Sequence, residues 1–394
     1  MPLFLLLFVF ACSRIPTLAE AYMHYCYPVI ATTLSFVTRW APFSLLDALM
    51  IAAIVLLLGS VVMMCMRRLS FRCWIKVFLL SVLWIAVWFY MAWGISYFRP
   101  GFHERFGVEQ PKEDRDYFEA LVVRYIDSLN HAASPSPRPP QRGGSPCAVN
   151  DSLKSPRSSC ETLHSPLLWR GVGGEVIWRG AGGEVMWRET GSDALRGEVI
   201  KEIDREIESL YAQHHERLRL PYPNGWRRTK KTLTEPLMTR MGVAGYFDPF
   251  FNEVQVNNYA LLITYPYTLA HEKAHQFGIA GEAECNLYAT VICTSSAHPL
   301  VRYSGYLQTV SYLLGNLRKI SPDRYQEITA QIDPRIKADY QAIREHWQKA
   351  LNPTLSAMQD KVYDTYLKTN KQQSGILSYS EMVGLLVAWE SLIH

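Results

Sequence analysis

The stretch from Thr264 to Ser296, TYPYTLAHEKAHQFGIAGEAECNLYATVICTSS, decides how the rest of the chain is read. It contains His271-Glu272-Lys273-Ala274-His275. Histidines at i and i+4 project from one face of a helix, one turn apart, so both imidazoles can reach one ion. Glu272 lies beside them, where it can take a proton from a metal-bound water without being a ligand itself. The chain holds only 11 histidines in 394 residues, so chance seldom produces this pair. Thr264 is placed to cap the helix and Pro266 to sit in its first turn, while Gly278 offers a stop. Leu269, Ala270, Ala274 and Phe277 supply the face that packs.

Zinc in a hydrolytic site takes a third protein ligand and keeps one position open for water. No histidine follows at the spacing of the H-E-x-x-H-x-x-G-x-x-H class, where this chain has Gly281. A second helix is expected to start there, carrying Glu282 and Glu284. These two differ by about 200° around a helix, so only one of them is expected to coordinate. Glu282 is favoured, because Asn286 lies one turn further on the same face, where it can support a ligating histidine from behind. Glu284 remains the alternative, or else serves as a structural or substrate-side acid. Tyr303, in VRYSGY, is the weakest candidate donor to the oxyanion, the favoured alternative being a core or hydrogen-bonding tyrosine. Ahead of the metal helix, GVAGYFDPFFNEVQVNN (Gly242 to Asn258) reads as two short strands about an Asp248-Pro249 turn, and its edge could hold an extended peptide.

Working outward, 49% of residues are apolar and 19% charged, which excludes collagen-like and wholly disordered classes. With 40 basic against 36 acidic residues the excess charge is too small to call for nucleic acid, and no such partner is expected. The first hundred residues are far more apolar than the rest. Pro42 to Met66 and Trp74 to Tyr97 each supply the ~20 residues that cross a bilayer, and Trp93 and Tyr97 suit an interfacial aromatic belt. Met1 to Cys12 is a shorter apolar run, read as a first membrane segment extending to about Ile15, with a signal-peptide core or a lipoprotein signal ending at Cys12 as the alternatives. Arg67, Arg68, Arg72 and Lys76 lie between the two longer spans with no acid among them, which marks that connection as cytoplasmic. The remainder then faces the periplasm or outside, and the protein is a multi-pass protein of the cell (inner) membrane with the lipid bilayer as partner. Cleavage within the membrane is disfavoured, since the H-E-x-x-H helix is far from either span along the chain.

The organisation expected is a membrane region at 1–98, with a short span at 1–15 and longer ones at about 42–66 and 74–97. A juxtamembrane helical segment follows at 99–132, then a disordered repetitive insertion at 133–195 and a metallopeptidase domain at 196–394. The insertion holds SPSPRPPQRGGSP, which cannot bury enough apolar surface to fold, and the nine-residue repeat WRGVGGEVI, WRGAGGEVM, WRE, whose third copy is only a fragment, too little for a stacked solenoid, so that it reads as flexible. A helix is expected from Asp193 to Leu218, and the Arg227, Arg228, Lys230, Lys231 cluster is read as a solvated face. Helices are also expected at Arg302 to Leu317 and Pro334 to Leu351. Asp364, Tyr366 and Lys368 are candidates either to line the cleft or to fix the last helices. Cys285 and Cys293 are too far apart on one helix to bridge.

Several blocks taken in order, WAPFSLLDAL, WGISYFRP, GVAGYFDPFFNEVQVN, HEKAHQFGIAGEAECN, YSGYL and VYDTYLK with SYSEMV, resemble the domain-of-unknown-function 3810 family of bacterial membrane proteins. The resemblance covers roughly 16–130 and 195–394. It implies N-terminal spans and a zinc-peptidase-like domain, with His271, Glu272, His275 and an acid of Glu282-Ala283-Glu284-Cys285-Asn286 at the site. Cys285 stands where the pattern has alanine, and the 133–195 insertion departs from it.

The fold expected is mainly α with a small β-sheet: N-terminal transmembrane helices followed by a zincin-like, gluzincin-type domain. The function expected is a membrane-anchored zinc metallopeptidase acting on a peptide or protein substrate outside the cytoplasm. Zn2+ would be held by His271, His275 and Glu282, with Glu272 as the catalytic base. The alternative is a catalytically silent, zinc-binding membrane sensor or scaffold.

Overall fold

The computed structural model describes residues 2–109, 114–134, 167–170, 176–179, 193–223, 227–369 and 378–393. It is mainly helical with a small sheet. Three short helices open the chain: α1 (Pro2–Arg14), α2 (Pro16–Tyr25) and α3 (Tyr27–Thr38). A proline in the first turn starts both α2 and α3, and α1 and α2 meet at a 116° bend.

Two helices long and apolar enough to cross a membrane follow, α4 (Leu45–Cys65) and α5 (Phe71–Ala92). At ~1.5 Å per residue they run about 31–33 Å, the thickness of a bilayer's hydrocarbon core of about 30 Å. Ile51, Leu56, Leu79 and Ile85 are exposed along them. The one acid in α4, Asp47, is buried in protein: it accepts from the Leu233 backbone N–H at 2.7 Å and from the Thr232 hydroxyl at 3.2 Å. Leu45 N–H donates to Glu253 at 3.0 Å, so the first turn of α4 is built into the extramembrane part.

After α5 a short 3-10 turn, Gly94–Phe98, turns the chain inward. Trp93 and Tyr97, expected to face headgroups, are buried with 4% and 8% exposure, because Trp93 reaches the His275 carbonyl of α10 and Tyr97 packs edge-on against the Trp93 ring. Next come α6 (Phe102–Phe106) and α7 (Arg115–Ala133), the latter capped by Asp114, which accepts from Tyr117 N–H at 3.0 Å. Within the repeat, β1 (Leu167–Arg170) and β2 (Val176–Arg179) pair antiparallel. The rest of the expected disordered insertion beyond residue 134 lies outside the described residues, up to α8 (Asp193–His214).

The second half of the chain begins with β3 (Thr229–Lys230), α9 (Glu235–Met241), β4 (Gly245–Asp248), β5 (Glu253–Val256), α10 (Tyr265–Gln276) and α11 (Glu282–Ser295). It continues with α12 (Pro299–Ile320), α13 (Tyr325–Ala330), α14 (Pro334–Ala350), α15 (Pro353–Thr369) and α16 (Ser378–Ile393). The sheet order is β3-β5-β4, with β5 central, parallel to β3 and antiparallel to β4. β4 and β5 flank the Asp248-Pro249 turn, and β4 is an edge. Helices α8, α11 and α12 pack against α10, while α7 packs outside on α12 and α16 on α11 and α12, through side chains of one core that include Val122, Ile207, Leu287, Leu313 and Leu386. Leu269, Ala270, Ala274 and Phe277, the packing face read from sequence, are all fully buried.

The basic cluster around β3 is a solvated face only in part: Lys231 is exposed and Arg228 half-buried. Arg227 and Lys230 are buried, because each has a carboxylate to meet: Arg227 pairs with Glu208, and Lys230 lies 3.6 Å from Glu253. Among the described residues Cys12, Cys26, Cys65, Cys73, Cys285 and Cys293 are free thiols.

Candidate metal centre

Helix α10 ends where the sequence places its stop. Gly278 takes φ +86°, a conformation that side chains with a Cβ rarely adopt, and the chain reverses into α11. Thr264 occupies the N-cap, but its hydroxyl turns back to the Leu261 carbonyl at 2.9 Å and does not cap the helix. The reversal lays the first turn of α11 against the histidine face of α10.

Glu282 meets both rings there. Its Oε2 lies 3.2 Å from His271 Nε2 and its Oε1 3.3 Å from His275 Nε2, with ring centroids 5.0 Å apart. One ligand atom from each of the three lies within 4.8 Å of the others. Each ring is held from behind through Nδ1, His271 by Asn286 Oδ1 at 2.8 Å and His275 by the Ile279 carbonyl at 2.8 Å. Both of those oxygens only accept, so the Nδ1 atoms carry hydrogen and the Nε2 atoms face Glu282. Cys285 Sγ also lies 3.3 Å from His275 Nδ1, inside the protein.

This donor set fits a divalent ion of the zinc type on its chemistry. Two imidazoles and a carboxylate at a common point favour one positive charge among them. Without a metal a proton can meet that demand. Burial opposes charge on His275, yet Cys285 and Glu282 beside it outweigh burial and hold its pKa well above the ordinary histidine value. Burial would raise Glu282, but the two histidines hold it well below the usual carboxylate range. Glu272 is buried, and burial pushes its carboxyl upward against the opposing pull of His271 and His275. It lies against the edge strand: a Cβ at Gly245 would sit 3.1 Å from Glu272 Cγ, so glycine allows β4 to pass this close.

Glu284 points elsewhere. It forms a salt bridge with Arg105, whose guanidinium also donates to Tyr288 at 3.2 Å. Tyr303 donates to Asp339 at 2.5 Å. The tyrosine that reaches the centre is Tyr363 of α15, whose hydroxyl donates to Glu282 Oε1 at 2.5 Å. It stands directly before Asp364 in the VYDTYLK block, so the signal was one residue away. The side chains of Tyr366 and Lys368 lie outside the described residues.

Sequence reasoning also missed what holds α10 from outside. Lys273, buried, donates to Glu208 at 2.7 Å and ties the helix to α8. Helix ends leave their last carbonyls without intrahelical partners. Here Trp93 Nε1 donates to the His275 carbonyl at 2.7 Å, Tyr27 OH to Gln276 at 2.5 Å and Arg99 to Gly278 at 2.8 Å. The membrane-proximal segments therefore cap the helix that carries both histidines. Distance along the chain from the spans is not distance in space.

A family model described as "Protein of unknown function (DUF3810)" matches residues 22–387, and the chain belongs to that family. No curated protein and no solved structure matches it.

Proposed function

We propose that this chain is a membrane-anchored zinc metallopeptidase of the zincin type, with its catalytic domain outside the cytoplasm. The observation that carries the reading is the convergence of His271, His275 and Glu282 to within 4.8 Å, with Glu272 between the two histidines in sequence. A zinc ion bound there would supply Lewis acidity toward a peptide carbonyl and toward water. Glu272 takes the proton of the attacking water and returns it to the leaving amine, and its upward-shifted pKa suits a base that must give the proton back. Tyr363, already in hydrogen-bond contact with Glu282, is the hydroxyl placed to donate to the carbonyl oxygen as charge develops on it. The β4 edge beside Glu272 offers its backbone to an extended peptide. Orientation rests on Arg67 and Arg68, exposed at the end of the α4–α5 hairpin away from the domain, where basic residues mark the cytoplasmic side.

The test uses the full chain in detergent. Zinc content is measured for the parent and for Glu272→Gln, and both are incubated with a degenerate peptide library. About one zinc in each, with cleavage by the parent alone, supports the reading. Zinc in both and no cleavage by the parent sinks it in favour of the sensor or scaffold.

A further inference from the structure

We infer that the substrate is itself membrane-anchored, entering along β4 from the lipid side and being cut a few residues outside the bilayer. This rests on the peptidase reading and names its substrate class.

Both spans end on one feature, the Asp248–Glu253 turn between β4 and β5. From α5, Trp88 Nε1 donates to the Phe250 carbonyl at 3.1 Å and the Phe89 ring lies 6.1 Å from that of Phe250. From α4, Leu45 N–H donates to Glu253 at 3.0 Å. Trp40 and Phe43, at the entry to α4, are 74% and 52% exposed, as aromatic residues at a headgroup boundary are. The turn therefore lies at the membrane surface, and β4 rises from it to Gly245, against Glu272.

The length of that rise sets the reach. From Phe250 back through the turn and β4 to Gly245 the chain spans five residues, at most about 17 Å at the ~3.3 Å per residue of extended chain. A peptide paired along β4 with its anchor in the bilayer thus brings a bond about five residues from the membrane to Glu272. Anchoring confines the second partner to the same surface and raises its effective concentration, which a soluble peptide lacks.

Two measurements test this on the full chain in neutral phospholipid vesicles. In the first, Glu272→Gln protein is mixed with a single-span helix whose outer tail carries a photoreactive residue about 2, 5, 10 or 20 positions from the apolar stretch. Crosslinks to residues 243–248 should peak at about 5, at least fivefold over 2 and 20; an even distribution overturns the inference. In the second, zinc-loaded parent protein meets the same helix with randomised tails, beside the tails alone. Cuts should cluster about four to eight residues from the anchor, at least tenfold faster than in the free tails. Equal rates, or cuts indifferent to the anchor, overturn this inference and leave the peptidase reading standing. Bound zinc with no cut in either overturns both.

Discussion

The indole N–H of Trp93 donates to the backbone carbonyl of His275 at 2.7 Å, so the end of a span-length helix holds the residue that carries one of the two imidazoles facing Glu282. The same carbonyl accepts from Gly278 N–H at 2.9 Å, so losing the indole does not strand it. Trp93→Phe keeps an aromatic ring against Tyr97 and Phe247 and removes only the donor. The expected cost is about 1 kcal/mol, with zinc affinity falling several-fold as the end of α10 loosens. Thermal unfolding in detergent and zinc titration check it. Unchanged affinity would mean that the two helices merely adjoin.

Asn286 fixes the tautomer and plane of His271 through its Oδ1, which also accepts from Tyr312 at 3.1 Å. Truncation to alanine removes that support, and zinc affinity should fall about 10–100-fold. Asn286→Asp keeps an acceptor in place and should recover most of the loss. A variant pair equally weak would assign Asn286 to packing.

How much of this was legible beforehand depended on range. The histidine pair, the stop at Gly278 and the strands about Asp248-Pro249 follow local rules of period and turn chemistry, and the sequence displays them. Asn286 was readable because it lies one turn from Glu282. Lys273, Tyr363 and Trp93 were not, since their partners Glu208, Glu282 and His275 stand 65, 81 and 182 residues away. For the same reason Arg227 and Lys230 read as solvated: charge looks exposed until its distant carboxylate is known.

Glu282 and Glu284 separate by experiment on different observables. Glu284→Ala leaves Arg105, itself buried, without its carboxylate, which should cost about 3–5 kcal/mol of stability. Zinc stoichiometry should stay near one per chain. Glu282→Ala should abolish tight zinc binding while costing less stability, since it also relieves the crowded donor set. Zinc analysis beside thermal unfolding reads both, and the reverse pattern would move the third ligand to Glu284.

Glu208 makes folding sensitive to acid. Burial would raise its pKa, but Lys273 and Arg227 outweigh burial and bring it down to about 2. A carboxyl lowered in the folded state adds stability above its unfolded value of ~4.3 and loses it as pH falls toward 2. That difference corresponds to roughly 3 kcal/mol at neutral pH. Glu208→Gln should therefore be less stable than the parent at pH 7 by about that amount, with the gap closing between about pH 4 and 2. A gap constant with pH would assign the loss to packing and not to the charge.

Asp248 acts in the opposite direction. Burial pushes its carboxyl up to about 7, although Phe250 N–H donates to Oδ1 at 2.9 Å, while Oδ2 is buried with no hydrogen-bond partner among the described residues. An acid raised in the folded state carries no penalty below its unfolded value of ~3.9 and loses stability as pH rises from there through 7. Asp248→Asn keeps the acceptor for Phe250 and removes the charge, at the cost of an amide whose N–H groups need partners. It should be more stable than the parent by about 2 kcal/mol at pH 8, with the advantage gone by about pH 5, where the parent is already protonated. Unfolding of the two proteins across that range decides it. Because the same turn receives both spans, a variant that gained nothing at pH 8 would place a counter-charge or water beside Oδ2 at the membrane surface.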